Sequence, residues 1–209
     1  MSQPTGTPLD QTTPDDPLTA AYEKFLAAAL VDVTGRNESL ADQAHAELLA
    51  ADRLTNDELT TLISRAGRCY APEFVAVAYV SGKITAETLA ALVGAAWSEA
   101  EYPDRELHHD TWRRLFDTAG FTVDGKRAER PTEPEMLFRG SVPERRTDWS
   151  WTRNRAVAER FAAGIRGRAP GHLWVCEVPP GHMLAVNTER DEDEVVVDTR
   201  GLQILEVVR

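Results

Sequence analysis

Cysteine and lysine are scarce in this sequence, and long apolar runs are missing altogether. Two cysteines, Cys69 and Cys176, stand far apart in 209 residues, with no Cys-x-x-Cys pair and no histidine at a zinc-ligand spacing. That argues against a disulfide-stapled secreted scaffold and against a structural zinc site, and makes a reducing cytoplasm the simplest home. No apolar run exceeds seven residues, the length of Phe74 to Val80, whereas about 20 are needed to span a bilayer. A membrane partner is not expected. The opening MSQPTGTPLDQTTPDD lacks both a basic start and an apolar centre, so residues 1–16 read as a disordered leader rather than a secretory signal. Also missing are the P-loop, the Gly-x-Gly-x-x-Gly turn of dinucleotide-binding βαβ units, the His-Glu-x-x-His zinc helix and the Gly-x-Ser-x-Gly nucleophile elbow. Their absence removes the commonest nucleotide, metalloprotease and hydrolase readings. The five histidines are scattered. His108 and His109 are neighbours on a presumed helix, so they point to different sides and read as surface residues rather than metal ligands.

What is present describes an ordinary globular chain: 42% hydrophobic and 27% charged residues, with a formal net charge of −11. An acidic total disfavours a surface that clings everywhere to nucleic acid or anionic lipid. The charge is uneven, however. Residues 1–130 carry 12 cationic and 21 anionic side chains, whereas Arg139 to Arg168 holds eight arginines against three acids. An anionic ligand, if one binds, belongs there.

From Pro17 to about Gly120 apolar residues recur at helical spacing. Asp16 and Pro17 open a first helix; a second is predicted from Glu38 to Ala51. The pair Thr55 and Glu58 forms a capping box for a third, Pro72 starts a fourth that Gly82 stops, and Thr85 caps a fifth. A sixth is predicted from Tyr102 to Gly120. The period then changes. Strands are expected at 135–140, 148–152, 173–178, 183–187, 195–198 and 204–208, with a helix from Asn154 to Ile165 capped by Thr152. The predicted fold class is α+β: a leader (1–16), a helical region (17–123), a linker (124–134) and a mostly antiparallel, two-sheet β core (135–209) packed on the helices.

Three pieces of the β half carry chemistry in order. A strand ends in Leu137-Phe138-Arg139-Gly140; a second, Trp149-Ser150-Trp151-Thr152, runs into a helix with the core Val157-Ala158-Glu159-Arg160-Phe161-Ala162; a third opens with Glu192-Asp193-Glu194-Val195-Val196-Val197. Together they resemble the ADP-ribosyltransferases of the Arg-Ser-Glu class, which includes clostridial-type toxins and arginine-specific transferases. In that class an aromatic-Arg-Gly strand end, a Ser-Thr-Ser strand and a Glu-x-Glu strand entry follow one another. HLWVCEVPPGHMLAV (172–186) is similar to the strand, Pro-Gly turn and strand preceding the last motif. The resemblance covers residues 135 to 209. Here Trp151 and Thr152 replace the second and third residues of Ser-Thr-Ser, and Ser150 keeps the first place.

The resemblance implies NAD as co-substrate, no metal, and mono-ADP-ribosyl transfer to a macromolecular acceptor, with a protein arginine first in line. It implies a catalytic set of Glu194, Glu192 and Ser150, and an NAD-binding set of Arg139, Gly140, Ser150 and Thr152. Glu194 would hold the ribose 2′-hydroxyl and face the cation developing at the anomeric carbon, with Ser150 orienting it. Glu192, on the same strand face, would handle an arginine acceptor. Physical chemistry agrees with such a set, because cleaving the nicotinamide–ribose bond creates an oxocarbenium-like centre that needs a fixed carboxylate. A pyrophosphate suits the planar fork of an arginine, here Arg139, and Gly140 would let the nicotinamide carboxamide approach the backbone. Arg166 and Arg168, in the following Gly-rich loop, either clamp phosphate or belong to a solvated loop. Three alternatives stay beside this reading: an NAD glycohydrolase, a transferase acting on nucleic acid or a small molecule, and a non-catalytic interaction module.

Overall fold

The computed structural model describes residues 40–165, 169–188 and 193–208. The leader, the helix expected from Pro17, Arg166, Arg168 and Glu192 lie outside them. Among the described residues six α-helices precede the sheet. The first, α1, covers 40–50 and buries Ala41, Ala44 and Leu48 at helical spacing. The capping box is formed at α2 (Asn56–Ala66): the Thr55 hydroxyl accepts from Glu58 N at 3.3 Å and Thr55 N donates to Glu58 Oε2 at 2.8 Å. Next come α3 (Ala71–Val80) and α4 (Ala86–Glu99), the latter capped by Thr85. The sixth predicted helix is two. A short α5 (Pro103–Glu106) ends at Leu107, whose backbone is extended, and α6 (His109–Ala119) begins afresh. The break turns Leu107 against the helical core and lets the indole N–H of Trp112 donate to Pro103 O at 2.8 Å.

The β half forms one eight-stranded sheet, not the two sheets expected. Its strands are β1 (Thr122–Val123), β2 (Lys126–Arg127), β3 (Glu135–Ser141), β4 (Ser150–Thr152), β5 (His172–Val178), β6 (Met183–Asn187), β7 (Glu194–Val197) and β8 (Leu205–Glu206). They lie in the order β2-β1-β6-β7-β4-β3-β5-β8, all neighbours antiparallel except β1 and β6. Continuity comes from β7, which pairs with β6 on one side and β4 on the other. The segment assigned to the linker also joins the sheet. Asp124 and Gly125, both at positive φ, turn β1 into β2 as a tight hairpin.

Each face of the sheet has its own core. On one, Trp149, Leu184, Ala185 and Val196 pack against Leu89, Val93, Trp97 and Trp112 of the helices. On the other, Leu137, Trp151, Cys176, Val178, Val195 and Val197 meet Phe121. The remaining helix, α7 (Arg155–Ala162), lies against β3, and its cap is Asn154 rather than Thr152. The Asn154 carboxamide oxygen accepts from the N–H groups of Ala156 and Val157, while Thr152 Oγ1 accepts from Asn154 N just before the helix.

Candidate functional site

The three motif pieces, up to 55 residues apart, fall on three adjacent strands. Phe138 on β3 pairs with Thr152 on β4, Thr152 pairs with Glu194 on β7, and Glu194 pairs with Asn187 on β6. Directly paired residues share a face, so Thr152, Glu194 and Asn187 form one row, with Ser150 two residues along it. At Ser150, Thr152 and Glu194 this row opens into a cleft of about 620 Å³, within the range of about 300–1,000 Å³ usual for small-molecule and cofactor sites. Arg139, Gly140, Ser150, Thr152 and Glu194 all line it. The opposite wall comes from the helical half, where the chain from Trp97 through α5 to His109 closes over the strands.

Within this shared cleft, several of the expected roles change. Arg139 is only 12% exposed in its side chain. Its Nε donates to Arg145 O at 2.9 Å, Nη1 to Ser150 O at 2.5 Å and Nη2 to Asp148 Oδ2 at 2.8 Å. The fork expected for pyrophosphate holds the chain at the start of β4. Asp148 also receives Arg145 Nε at 2.7 Å, and Arg145 Nη2 reaches Asp104 at 3.3 Å. Charges therefore alternate from α5 to β3.

Gly140 is required by packing. A Cβ at that position would lie 2.0 Å from Ala158 O and 2.4 Å from Ala162 N, so the close approach of α7 by itself requires the glycine. Ser150 is not the partner of Glu194. Its Oγ accepts from the indole N–H of Trp97 at 3.1 Å, across from α4, whereas Glu194 Oε2 accepts from Asn187 Nδ2 at 3.1 Å.

Sequence reasoning placed His109 on the surface. The structure stacks it on Trp149, with ring centroids 4.5 Å apart and planes at 9°, in the cleft wall beside Trp97. Its Nε2 is buried and has no hydrogen-bond partner among the described residues. Arg68, in the single turn between α2 and α3, lies exposed at the cleft and makes no ion pair among the described residues. No local signal marks either residue, since a lone arginine in a turn and a histidine at a helix start are common. Asn187 left a faint trace as the single polar residue closing the apolar strand Met183–Asn187.

Asp198 and Cys176, away from the cleft, have displaced acidities. Burial acts to raise the Asp198 carboxyl, but hydrogen bonds from Arg200 and Arg113 outweigh it and bring it to about 2. Burial, followed by the charge of Glu177, pushes the Cys176 thiol up to about 11, so this cysteine behaves as a small apolar side chain. Among the described residues no three His, Cys, Asp or Glu side chains gather as a metal site, and no helix is long and apolar enough to cross a membrane.

The fold and cleft define an α+β protein whose candidate site lies between a helical wall and the β3-β4-β7 strands. No family model, curated protein or solved structure matches the chain.

Proposed function

We propose that the protein is an NAD-dependent mono-ADP-ribosyltransferase, which cleaves the nicotinamide–ribose bond of NAD and passes ADP-ribose to a macromolecular acceptor. The observation that supports this most is the convergence of Arg139, the Ser150–Thr152 strand and Glu194 on three neighbouring strands and one cleft. Nothing in their spacing along the chain requires it. The cleft also has walls suited to planar rings, with Trp97, Tyr102, Phe138 and Phe161 around it.

In this reading Glu194 supplies the fixed anion. The charge it faces appears only as the glycosidic bond breaks, so its contribution favours the transition state over the bound substrate. Arg139 acts by holding the β3 and β4 backbones that carry the site, and Arg68 offers the exposed cation toward phosphate. Glu192 handles the acceptor, and a protein arginine is the acceptor class that goes with it by resemblance.

Glu194→Gln preserves volume and removes the anion. It is expected to abolish nicotinamide release and acceptor labelling together, a loss of several kcal/mol of transition-state stabilisation. Glu192→Gln is expected to reduce labelling while slow release of nicotinamide survives. The measurement is nicotinamide release beside transfer of label from NAD to protein and nucleic acid in a lysate. Free ADP-ribose as the only product would replace transfer by hydrolysis, and near-normal activity of Glu194→Gln would remove the assignment.

A further inference from the structure

Glu194 has two strand neighbours on its own face: Thr152 on β4 and Asn187 on β6. Asn187 contacts the carboxylate. Its Nδ2 donates to Glu194 Oε2 at 3.1 Å and to Gly94 O, in the middle of α4, at 3.3 Å. Both acceptors lack a proton to give, so this orientation of the carboxamide satisfies them, whereas the flipped one would set oxygen against oxygen. The two N–H bonds of one amide therefore join the helical half to the carboxylate.

Gly94 permits the approach. A Cβ there would sit 2.7 Å from Asn187 Oδ1 and 3.8 Å from Ala185 Cβ. The clash would fall mainly on the free end of a side chain, so an alanine displaces the carboxamide rather than the fold.

We infer that Asn187 is the residue that positions Glu194, and that α4 sets Asn187 through Gly94. This rests on the function proposed above. A neutral amide is suited to holding a catalytic anion, because it fixes one carboxylate oxygen without cancelling the charge, as a lysine or arginine in its place would do. The device also gives the helical half a part in the site, because the glycine lies on an element that the sequence motifs do not include.

Three variants and two measurements test this. Asn187→Ala is expected to lower kcat for nicotinamide release about 10- to 100-fold, the usual weight of a hydrogen bond to a charged group, with KM for NAD changed by no more than about threefold. Gly94→Ala is expected to reproduce that loss while melting no lower than the wild type, since alanine is the better helix former. The double variant is expected to be no worse than Asn187→Ala alone. Independently of NAD, the carboxyl carbon resonance of Glu194, assigned by its disappearance in Glu194→Gln, is expected to move in both single variants.

An unmoved resonance in both overturns the inference, whatever the activity. A moved resonance with wild-type kcat, or a KM effect alone, overturns it as well. A wild-type chain that leaves NAD intact refutes the proposed function, and the resonance then decides whether Asn187 holds Glu194. If Asn187→Ala fails to fold, Gly94→Ala carries the test.

Discussion

Arg139 directs three N–H donors at the protein itself, two of them at backbone carbonyls. A lysine keeps the charge but has neither the planar fork nor the reach to satisfy Ser150 O, Arg145 O and Asp148 together. Arg139→Lys is therefore expected to destabilise the fold by about 2 kcal/mol, since a partly buried acceptor loses its partner. Urea unfolding checks this; an unchanged midpoint would return Arg139 to a role in ligand binding alone. The same lesson holds for Ser150. The residue type and its place in the motif were legible, but its partner, Trp97, comes from a helix 53 positions earlier in the chain. Residue identity announces what a side chain is able to do. The partner it meets depends on which distant element is brought beside it.

At the scale of elements, local chemistry decided most boundaries. Thr55 with Glu58, and Thr85, start helices where their side chains satisfy backbone N–H groups. Gly82, at φ 72, follows the end of α3. Local rules fell short where a neighbour intervened. Trp149 and Trp151 are two residues apart, which on a continuous strand would put them on one face. Trp149 lies in the turn before β4, so it joins the helix-side core while Trp151 joins the other. Gly140 is the clearest case of a glycine whose reason is tertiary, because its missing Cβ makes room for the backbone of α7. Gly140→Ala is expected to destabilise the protein by about 3 kcal/mol, at the upper end for overpacking a rigid contact, because the obstacle is main chain and has no rotamer to relax. Thermal or urea unfolding of the variant measures it, and wild-type stability would show that α7 slides freely on β3.

For the whole molecule, the join between the halves is electrostatic as well as apolar. Asp198, just past β7, accepts from Arg113 of α6 at 2.9 Å and from Arg200 at 2.7 Å, with its side chain only 4% exposed. Beside it, Thr199 Oγ1 donates to Thr147 O. The Asp198 carboxyl titrates at about 2 in the folded chain against an ordinary value of 3.8. Its stabilisation is therefore fully present above pH of about 4 and is lost as pH falls toward 2, because the unfolded chain takes up the proton first. The amount is about 2 kcal/mol. In urea unfolding followed from neutral pH downward, Asp198→Asn is expected to be less stable than wild type by about that much at pH 7, and the gap is expected to close by pH of about 2. A gap that does not change with pH would assign the pair a packing role only.

The sequence by itself determined the α+β class, the order of the described helices apart from the α5–α6 break, the order of strands β3 to β8, most caps, and five of the residues that line the cleft, Arg139, Gly140, Ser150, Thr152 and Glu194, because these follow from short-range periodicity, turn chemistry and motif order. The tertiary structure alone decided that the strands make one sheet, through the double pairing of β7. It alone set Arg139 to bracing the backbone, Ser150 against Trp97, His109 against Trp149, and Asn187 between α4 and Glu194. Those outcomes depend on contacts between residues tens of positions apart. Such contacts are fixed by how the faces of whole elements pack, and no local window of sequence contains them.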